Sequence, residues 1–431
     1  MSYCDDCFID WKYKVLDNRY IIIHRLGYGS YASVWLAYDV NDIDKWVAIK
    51  IHNREDYQHG LKETKIYQNI NSLKSNRLMT LIRNFDYVSD KDDEIHHCCV
   101  MDLLGNSLFG LLKIKCFNNG LPFDFIIKCI KQSLEGLNTM HKNNFIHGDV
   151  KPENILLDEI SPEVTDIINK LNMQSYIKTL KKIKNPKYFE TLIKYITTKL
   201  ETSSNNHNKH HSNNSTNTNT DTDTDTDSDE PITISDSSDD ESNNKLNNNE
   251  SNNEFNFSNK NIKLTDMGSC VGPKTRKKKY IQTCYYKSPE ILMKLGYDSK
   301  SDMWALGCTI YELLTGNILF DPDKYNGNQN KYHLFLISQK IGMFSPNMIQ
   351  NSPKRDIFFS SDMLSIKGFN TFSQSSQKNI ILSTHLKKIL SDKLIDPTRA
   401  NHLIDLIAKL LHIDQTKRLS ADMALKHQLF T

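Results

Sequence analysis

A long polar tract divides the chain and limits what can fold. Residues 202–260 consist almost entirely of Asn, Ser, Thr and Asp, and the tract's only large apolar side chains are Ile232, Ile234, Leu246, Phe255 and Phe257. So little apolar surface cannot offset the entropy of ordering the tract, which costs roughly 1 to 2 kcal/mol per residue. We therefore expect 202–260 to be disordered and the fold to be built from the flanking parts.

The flanking parts of the 431-residue chain are long enough for two packed lobes. Nine cysteines are scattered without the spacing of a disulfide framework, which is typical of a reducing compartment. Cys4 and Cys7 form one C-x-x-C, where two ordinary thiols are favoured over a zinc site. The start of the sequence lacks the regions of a signal peptide, and no apolar run reaches the roughly 18 residues that span a bilayer. The sequence predicts a soluble intracellular protein.

Strand and helix signals change along the chain. Runs of β-branched and aromatic residues, such as "RYIIIHRLGYG", "SVWLAYDV" and "WVAIKIH", predict strands in the first hundred residues, with one helix around "HGLKETKIYQNI". From about residue 107 the pattern becomes helical. Residues 163–200 also share an apolar helical face, which predicts one or two short helices there; its members are Phe189, Leu192, Ile193, Ile196 and Leu200.

Two glycines lie between the first two predicted long strands, in "LGYGSYASVWLA". Gly27 and Gly29 carry no Cβ and so let backbone N–H groups approach a phosphate chain, although Ala32 stands where a third glycine would complete the pattern. A simple glycine hairpin is the alternative for this stretch alone. The following "VAIK" places Lys50 within reach of α- and β-phosphates, and Glu63 on the next helix is positioned to pair with Lys50.

A second group of polar residues follows in "FIHGDVKPENILLDE". Asp149 is suited to accept a proton from a hydroxyl group and to orient it toward a γ-phosphate. Lys151 can supply charge to the phosphoryl group, and Asn154 can hold a magnesium ion. After the polar tract, Asp266 of "IKLTDMGSC" stands at a predicted strand end, where a carboxylate can bridge a metal ion to two phosphates.

The order of these motifs resembles that of the eukaryotic protein kinases. The glycine loop, VAIK, helix glutamate, HGDVKPEN, DMG, SPE and a closing arginine occur in sequence over roughly residues 20–158 and 262–430. The resemblance implies an α+β, bilobal fold with a small five-stranded antiparallel β N-lobe, one main helix in that lobe, and a large, mainly α-helical C-lobe that carries a long insert. Glu290 of "YKSPE" is expected to pair with Arg418 in the C-lobe.

The resemblance also implies domain boundaries. An N-terminal extension covers 1–19 and the N-lobe 20–104. The C-lobe covers 105–158 and 262–431, and the insert between its two parts covers 159–261. ATP and Mg²⁺ are expected to bind between the lobes.

Within that superfamily, the sequence is similar to the SR-protein kinases of the CMGC group. The long insert after "ENILL", the segment "MDLLGNSL" and the stretch "IQTCYYKSPEILMKLGYDSKSDMWALGC" carry this likeness. Position by position, it implies catalytic roles for Asp149, Lys151, Asn154 and Thr283, and Mg²⁺ ligation by Asn154 and Asp266. The residues that it implies for ATP binding are Leu26, Gly27, Tyr28, Gly29, Ser30, Tyr31, Ala32, Ser33, Val34, Ala48, Lys50, Glu63, Asp102 and Leu104.

Three departures from the family pattern concern regulation and substrate. Gly148 replaces the arginine that binds an activation-loop phosphate in many kinases, which predicts a constitutively competent enzyme. Cys284 and Lys287 stand where the family usually has arginines. The stretch "KTRKKKY" (274–280) is basic, and the segment after Asp323 is nearly neutral. Two substrate classes therefore stay open: Arg–Ser-rich proteins, and acidic or prephosphorylated proteins. A solvated loop is the alternative for the basic stretch.

The leading prediction is a protein serine/threonine kinase that transfers the γ-phosphoryl group of MgATP to protein substrates. Lys151, two residues after Asp149, favours serine and threonine over tyrosine. A pseudokinase-like scaffold that binds partners through the kinase fold and the insert is the alternative, and a small-molecule kinase is less favoured. We expect a monomer in the cytoplasm or nucleus, and nothing indicates a nucleic-acid or membrane partner. Abundant Asn, Ile and Lys suggest an AT-rich genome of a protist or large DNA virus; if viral, the protein would act in the virion or host cell.

Overall fold

The structure is a computed structural model of the chain. It describes residues 10–42, 45–89, 93–174, 176–177, 187–208, 256–273, 281–369 and 378–431. The predictions for Cys4 and Cys7, for the basic stretch 274–280 and for most of the polar tract lie outside these residues. No helix within the described ranges is long and apolar enough to cross a membrane.

A six-stranded antiparallel sheet forms the N-terminal part, in the order β1-β2-β3-β4-β6-β5. Residues 20–104, where five strands are predicted, contain β2 to β6, and a sixth short strand in the predicted N-terminal extension joins the edge of the sheet. Val15 and Leu16 pair with Ile21 and Tyr20, and two residues are too few to show the alternation that identifies a strand in a sequence. The strands are β1 (Val15–Leu16), β2 (Tyr20–Tyr28), β3 (Ala32–Asp39), β4 (Trp46–His52), β5 (Leu81–Val88) and β6 (Ile95–Met101).

Helix α1 (Tyr57–Asn71) follows β4 and packs against β5 and β6. Glu63, Ile66, Tyr67 and Ile70 are buried at the three- and four-residue spacing of one helical face. Three of these four residues are hydrophobic or aromatic, whereas Glu63 places a carboxylate on the buried face. The helix therefore carries a buried acid to the sheet.

Two long helices form the centre of the C-terminal part, α3 (Phe123–Lys142) and α7 (Lys300–Thr315). Every residue of α7 from Ser301 to Leu314 is buried, as expected for a helix surrounded by others. The shorter or peripheral helices outside the insert are α2 (Leu108–Leu112), α6 (Pro289–Met293), α8 (Gln329–Lys340), α9 (Pro346–Asn351), α10 (Arg355–Phe358), α11 (Lys378–Asp392), α12 (Pro397–Leu410) and α13 (Ala421–Leu425).

The insert leaves and rejoins this part at one antiparallel strand pair. Strand β7 (Ile155–Leu157) pairs with β8 (Ile262–Leu264), so that Leu157 lies opposite Ile262. Asp158 N donates to Asn261 O at 2.8 Å, directly beyond that last pair. Because both ends of the insert meet at this point, about a hundred residues are accommodated without separating β7 from β8.

The ordered part of the insert packs on the sheet. Helices α4 (Pro162–Leu171) and α5 (Tyr188–Asn208) contact each other. They share a buried apolar cluster with β2 and β3, whose members include Ile21, Ile23, Leu36, Tyr38, Val164, Leu171, Leu192 and Ile196. These two helices fall in the region for which the sequence predicts one or two short helices, and the predicted apolar face of α5 is the face that meets the sheet.

The prediction of disorder over 202–260 is wrong at both ends of the tract. Helix α5 continues to Asn208. At the other end, the Phe257 ring stacks on Phe125 of α3 with centroids 4.2 Å apart, and Lys128 Nζ donates to Ser258 O at 2.7 Å. One aromatic side chain that finds an apolar surface is enough to order its neighbours, which composition averaged over sixty residues conceals.

Candidate active site

The glycine-rich loop is the tight connection between β2 and β3. Gly27 lies opposite Val34 in the register, and Gly29 N donates to Ala32 O at 2.9 Å. A Cβ added at Gly27 would meet no atom within 4 Å, and one at Gly29 would only reach Ala32 O at 4.0 Å. Contacts within the chain therefore do not require these glycines, which is consistent with a loop that leaves room for a ligand.

The tip of this loop is tied to the end of β4. Asn53 Nδ2 donates to Ser30 O at 3.1 Å, and Asn53 N donates to Tyr31 O at 3.0 Å. Tyr28 and Tyr31 are 65% and 56% exposed, so their side chains project from the loop. Ser33 pairs with Tyr28 at the base of the connection.

Five of the residues predicted to bind ATP lie on adjacent strands or directly after β6. Ala48 of β4 pairs with Met101 at the end of β6, and Asp102 and Leu104 follow directly. Leu104 is 7% exposed, and Asp102 Oδ2 accepts from Lys263 Nζ at 3.1 Å. Of the two remaining predicted residues, Val34 lies opposite Lys50 and Leu26 is partly buried against the insert cluster.

Lys50 joins two carboxylates from distant parts of the chain. Its Nζ donates to Glu63 Oε1 at 2.8 Å and to Asp266 Oδ1 at 3.1 Å. Asp266 has a left-handed backbone (φ 57°) after β8, and its Oδ1 also accepts from Gly268 N at 3.3 Å. This turn aims the carboxylate at the lysine, so strand β4, helix α1 and the DMG turn meet at one ammonium group.

The charges of this trio determine its protonation. Lys50 holds the pKa of Asp266 well below its ordinary value. Burial opposes ionisation of Glu63, but Lys50 and the contact with His52 outweigh it, so the pKa of Glu63 is also lowered. Burial likewise opposes the charge on Lys50, yet Asp266 and Glu63 raise the pKa of Lys50 well above its usual range. All three groups are charged at neutral pH, as binding of phosphates and a metal ion requires.

The second group of predicted residues surrounds Asp149. Thr283 N and Oγ1 donate to Asp149 Oδ1 at 3.0 and 2.7 Å. Lys151 Nζ lies 3.0 Å from Asp149 Oδ2 and donates to Thr283 Oγ1 at 2.8 Å. Asn154 Nδ2 donates to Asp149 O at 2.8 Å and to Asp149 Oδ2 at 3.0 Å. Because Asn154 uses its nitrogen toward Asp149, its Oδ1 is the atom suited to a hard cation such as Mg²⁺.

The strand pair β7–β8 connects the two groups. Thr265 N and Oγ1 both donate to Asn154 O, at 2.9 and 3.2 Å, and Asp266 follows at once. Asn154 and Asp266, the two residues predicted to bind Mg²⁺, therefore lie at adjoining ends of paired strands. Their amide and carboxylate oxygens are ligands that Mg²⁺ prefers, so the donor set fits that ion.

Backbone contacts fix the segment that precedes Asp149. The carboxylate of Asp302 on α7 accepts from His147 N at 2.8 Å and from Gly148 N at 2.9 Å. Gly148 has φ +78°, and an added Cβ would lie 2.7 Å from Ser269 O. Gln282 N donates to Gly148 O at 2.7 Å. A side chain at position 148 is excluded by both the backbone conformation and the nearby carbonyl group.

The expected brace in the C-terminal part is confirmed. Arg418 Nη1 and Nη2 donate to Glu290 Oε1 and Oε2 at 2.8 and 2.9 Å, and both side chains are at most 1% exposed. The guanidinium also lies over the Trp304 ring, 5.2 Å from its centroid. This pair joins α6, which follows Thr283, to the segment between α12 and α13.

His52 is a site residue that the sequence analysis missed. Its Nε2 lies 3.0 Å from Glu63 Oε2, on the oxygen that Lys50 does not use. An alanine at Gly60 would place its Cβ 2.8 Å from the His52 ring, so the glycine makes room for the histidine. A polar residue two positions after Lys50, on the same face of β4, was the available signal in the sequence.

Comparison with known proteins identifies the family. The model of the protein kinase domain matches residues 20–180 and 247–430. The chain belongs to the protein kinase family. Membership in this family implies the use of ATP, and typically of Mg²⁺, and protein molecules as substrates.

Several relatives are similar over most of the chain. L205 of Acanthamoeba polyphaga mimivirus, provisionally named a serine/threonine-protein kinase, is 27% identical over 96% of this chain and 87% of its own length. The dual specificity protein kinase CLK1 of Homo sapiens is 24% identical over 96% of this chain, which spans 66% of CLK1. The serine/threonine-protein kinase SRPK of Physarum polycephalum is 26% identical over 81% of this chain and 72% of its own length. The predicted relationship to the eukaryotic serine/threonine protein kinases, close to the SR-protein kinases, is confirmed, as is the enzyme class.

Proposed function

We propose that this kinase transfers the γ-phosphoryl group of MgATP to serine and threonine hydroxyl groups of proteins, in a cleft between an N-lobe at 20–104 and a C-lobe at 105–158 and 262–431. One observation carries the proposal. Hydrogen bonds join the members of the Lys50–Glu63–Asp266 trio and of the Asp149–Lys151–Thr283 trio, and Asn154 and Thr265 connect the two trios.

Each side chain has a role that its contacts support. Asp149 orients the acceptor hydroxyl and takes its proton as the hydroxyl attacks the γ-phosphorus. Lys151 stabilises negative charge on the transferred phosphoryl group. Thr283 fixes the relative positions of Lys151 and Asp149 through its hydrogen bonds to both. Asn154 and Asp266 bind the metal ion, while Lys50, aligned by Glu63, binds the phosphates. Residues 26–34, Ala48, Asp102 and Leu104 enclose the rest of the nucleotide.

We also propose that the kinase is active without phosphorylation of its activation loop. A phosphate there acts by pairing with a cation beside the catalytic aspartate, and Gly148 provides none. Backbone contacts serve instead, since Gln282 N donates to Gly148 O and Thr283 N donates to Asp149 Oδ1. These bonds position the segment after the loop with no charge on it.

Two experiments test the proposals. Purified protein is incubated with γ-labelled ATP and either a basic Arg–Ser-rich or an acidic model protein, and the labelled amino acids are identified. We expect labelled serine or threonine; nucleotide binding without transfer to any protein would favour the scaffold alternative. The same assay after phosphatase treatment, with mass spectrometry of 270–290, tests constitutive activity. Loss of activity together with loss of a phosphate from that segment would refute it.

A further inference from the structure

Two histidines lie beside the glutamate that pairs with Lys50. His52 is on β4, while His59 and Glu63 are one turn apart on the same face of α1. One nitrogen or oxygen atom from each of the three side chains lies within 4.8 Å of the others. Among the residues that the structure describes, this is the one such group of three His, Cys, Asp or Glu side chains.

Each ring nitrogen of His52 lies beside an oxygen atom that accepts hydrogen bonds. Nδ1 lies 3.1 Å from His97 O, a carbonyl oxygen that can only accept, so Nδ1 carries a proton. Nε2 lies 3.0 Å from Glu63 Oε2, which is also an acceptor. With the Nδ1 hydrogen directed at His97 O, the lone pair of Nε2 faces the Glu63 carboxylate oxygen, an arrangement that suits a cation bound by both atoms. Histidines that bind metals characteristically donate their other N–H to a backbone carbonyl or carboxylate, as His52 does.

We propose that His52, His59 and Glu63 form a binding site for a divalent transition-metal ion of the zinc type. Two imidazoles and one carboxylate are a ligand set that Zn²⁺ and its neighbours accept, with water in the fourth position. Glu63 Oε1 remains on Lys50, so Oε2 is the metal ligand. Bonds of about 2.0–2.2 Å require the His59 ring to move toward the other two ligands.

The surroundings favour a cation. Glu63 and Asp266 carry two negative charges against the single positive charge of Lys50, with which both are paired. A glycine at position 60 is what lets the His52 ring lie against α1. His52 and Glu63 are buried, whereas the Tyr31 ring that stacks on His59 at 5.1 Å is 56% exposed, so the His59 side of the site lies nearest to solvent.

A bound ion would link β4 to α1 through Glu63. It would hold the helix in the position at which Oε1 reaches Lys50, and the folded state would gain stability by mass action. The metal therefore raises the melting temperature of the wild-type protein. This effect needs neither nucleotide nor Mg²⁺.

Calorimetric titration with Zn²⁺ and Co²⁺ tests the site. The full chain is first stripped with EDTA and kept free of nucleotide and Mg²⁺. We expect His59→Gln to weaken binding at this site by at least about tenfold. His402→Gln, a matched change on α12, leaves binding unchanged. Metal bound elsewhere, such as at Cys4 and Cys7 or at the histidine-rich stretch "HNKHH" (207–211), contributes equally to the wild type and both variants.

Crystals of the zinc-loaded wild-type protein locate the ion independently of any variant. We expect anomalous density within bonding distance of His52 Nε2 and Glu63 Oε2. Equal affinities of wild type and His59→Gln, or anomalous density only at other residues, would overturn the proposal. Neither readout depends on phosphoryl transfer, so failure here is distinguishable from failure of the proposed kinase mechanism.

Discussion

The hydroxyl group of Thr283 donates to Asp149 Oδ1 at 2.7 Å. The same hydroxyl accepts from Lys151 Nζ at 2.8 Å. A residue from the segment before α6 therefore holds both of these charged side chains. Their geometry depends on a part of the chain more than 130 positions away in sequence.

Removal of this hydroxyl tests its role. Thr283→Ala leaves Asp149 and Lys151 without their common partner, and a hydrogen bond to a charged group contributes about 1.5–3 kcal/mol. We expect kcat to fall about 10- to 100-fold with little change in KM for ATP. Thr283→Ser keeps the hydroxyl and retains most of the activity. Steady-state kinetics of both variants check this prediction. An equal fall of kcat in Thr283→Ala and Thr283→Ser would contradict a role for the hydroxyl group.

Gly148 is required by a close contact as well as by its backbone conformation. Gly148→Ala places a Cβ 2.7 Å from Ser269 O at φ +78°. Gly296 is a matched control, because it has φ +83° and an added Cβ there meets nothing within 4 Å. We expect Gly296→Ala to lose about 1–2 kcal/mol of unfolding free energy from conformation alone, and Gly148→Ala to lose more. Urea unfolding of both variants measures this difference. Equal losses of unfolding free energy would show that the Ser269 carbonyl group shifts without cost to admit the Cβ.

The buried pair of Glu290 and Arg418 is essential as a pair. Arg418→Met leaves the Glu290 carboxylate buried without its partner, which is expected to cost about 3–5 kcal/mol of unfolding free energy. The double variant Glu290→Leu/Arg418→Met removes both charges and should recover much of that loss. Chemical denaturation of the three proteins tests this. If the double variant lost about 3–5 kcal/mol more unfolding free energy than Arg418→Met, the account would be contradicted.

Glu312 makes stability depend on pH. Burial, partly offset by the hydrogen bond from Tyr286, raises the pKa of Glu312 to about 7 from its ordinary 4.5. The folded protein therefore favours the protonated form of Glu312. The stability that this group contributes is fully present below pH 4.5 and is lost as the pH rises from 4.5 through about 7. The loss at pH 8 is about 3 kcal/mol.

The variant Glu312→Gln isolates this contribution. Glutamine stays neutral and can still accept from Tyr286. We expect its unfolding free energy to decline less than that of the wild type between pH 5 and pH 8, when both are unfolded in urea at each pH. Parallel curves for the two proteins would show that Glu312 does not titrate in this range.

Sequence order predicted most of the candidate site because each group lies in or just after a recognisable element. Lys50 lies within a strand, Glu63 lies on an amphipathic helix, and Asp266 follows a short strand. These local patterns and a family resemblance identify the residues. They do not give the contacts that position them, such as Asn154 O with Thr265, since those depend on how β7 and β8 pair across the insert.

Other features needed tertiary information. The edge strand at Val15 is too short to show a period, and the order around Phe257 depends on the Phe125 ring. In the sequence His52 is indistinguishable from an ordinary strand residue, and only the folded structure shows that α1 brings Glu63 against it. In each case the local structure depends on one contact with a residue distant in sequence. A short window of sequence contains only one of the two residues that make the contact.

The rate of phosphoryl transfer in a single turnover tests the central claim most directly. MgATP and a phosphoaccepting protein are mixed with excess wild-type enzyme, with Asp149→Asn, and with Asp392→Asn as a control that makes the same change on an exposed side chain. We expect transfer to serine or threonine by the wild type and the control, and a rate at least about 100-fold lower for Asp149→Asn. Transfer by Asp149→Asn at the wild-type rate would contradict the account.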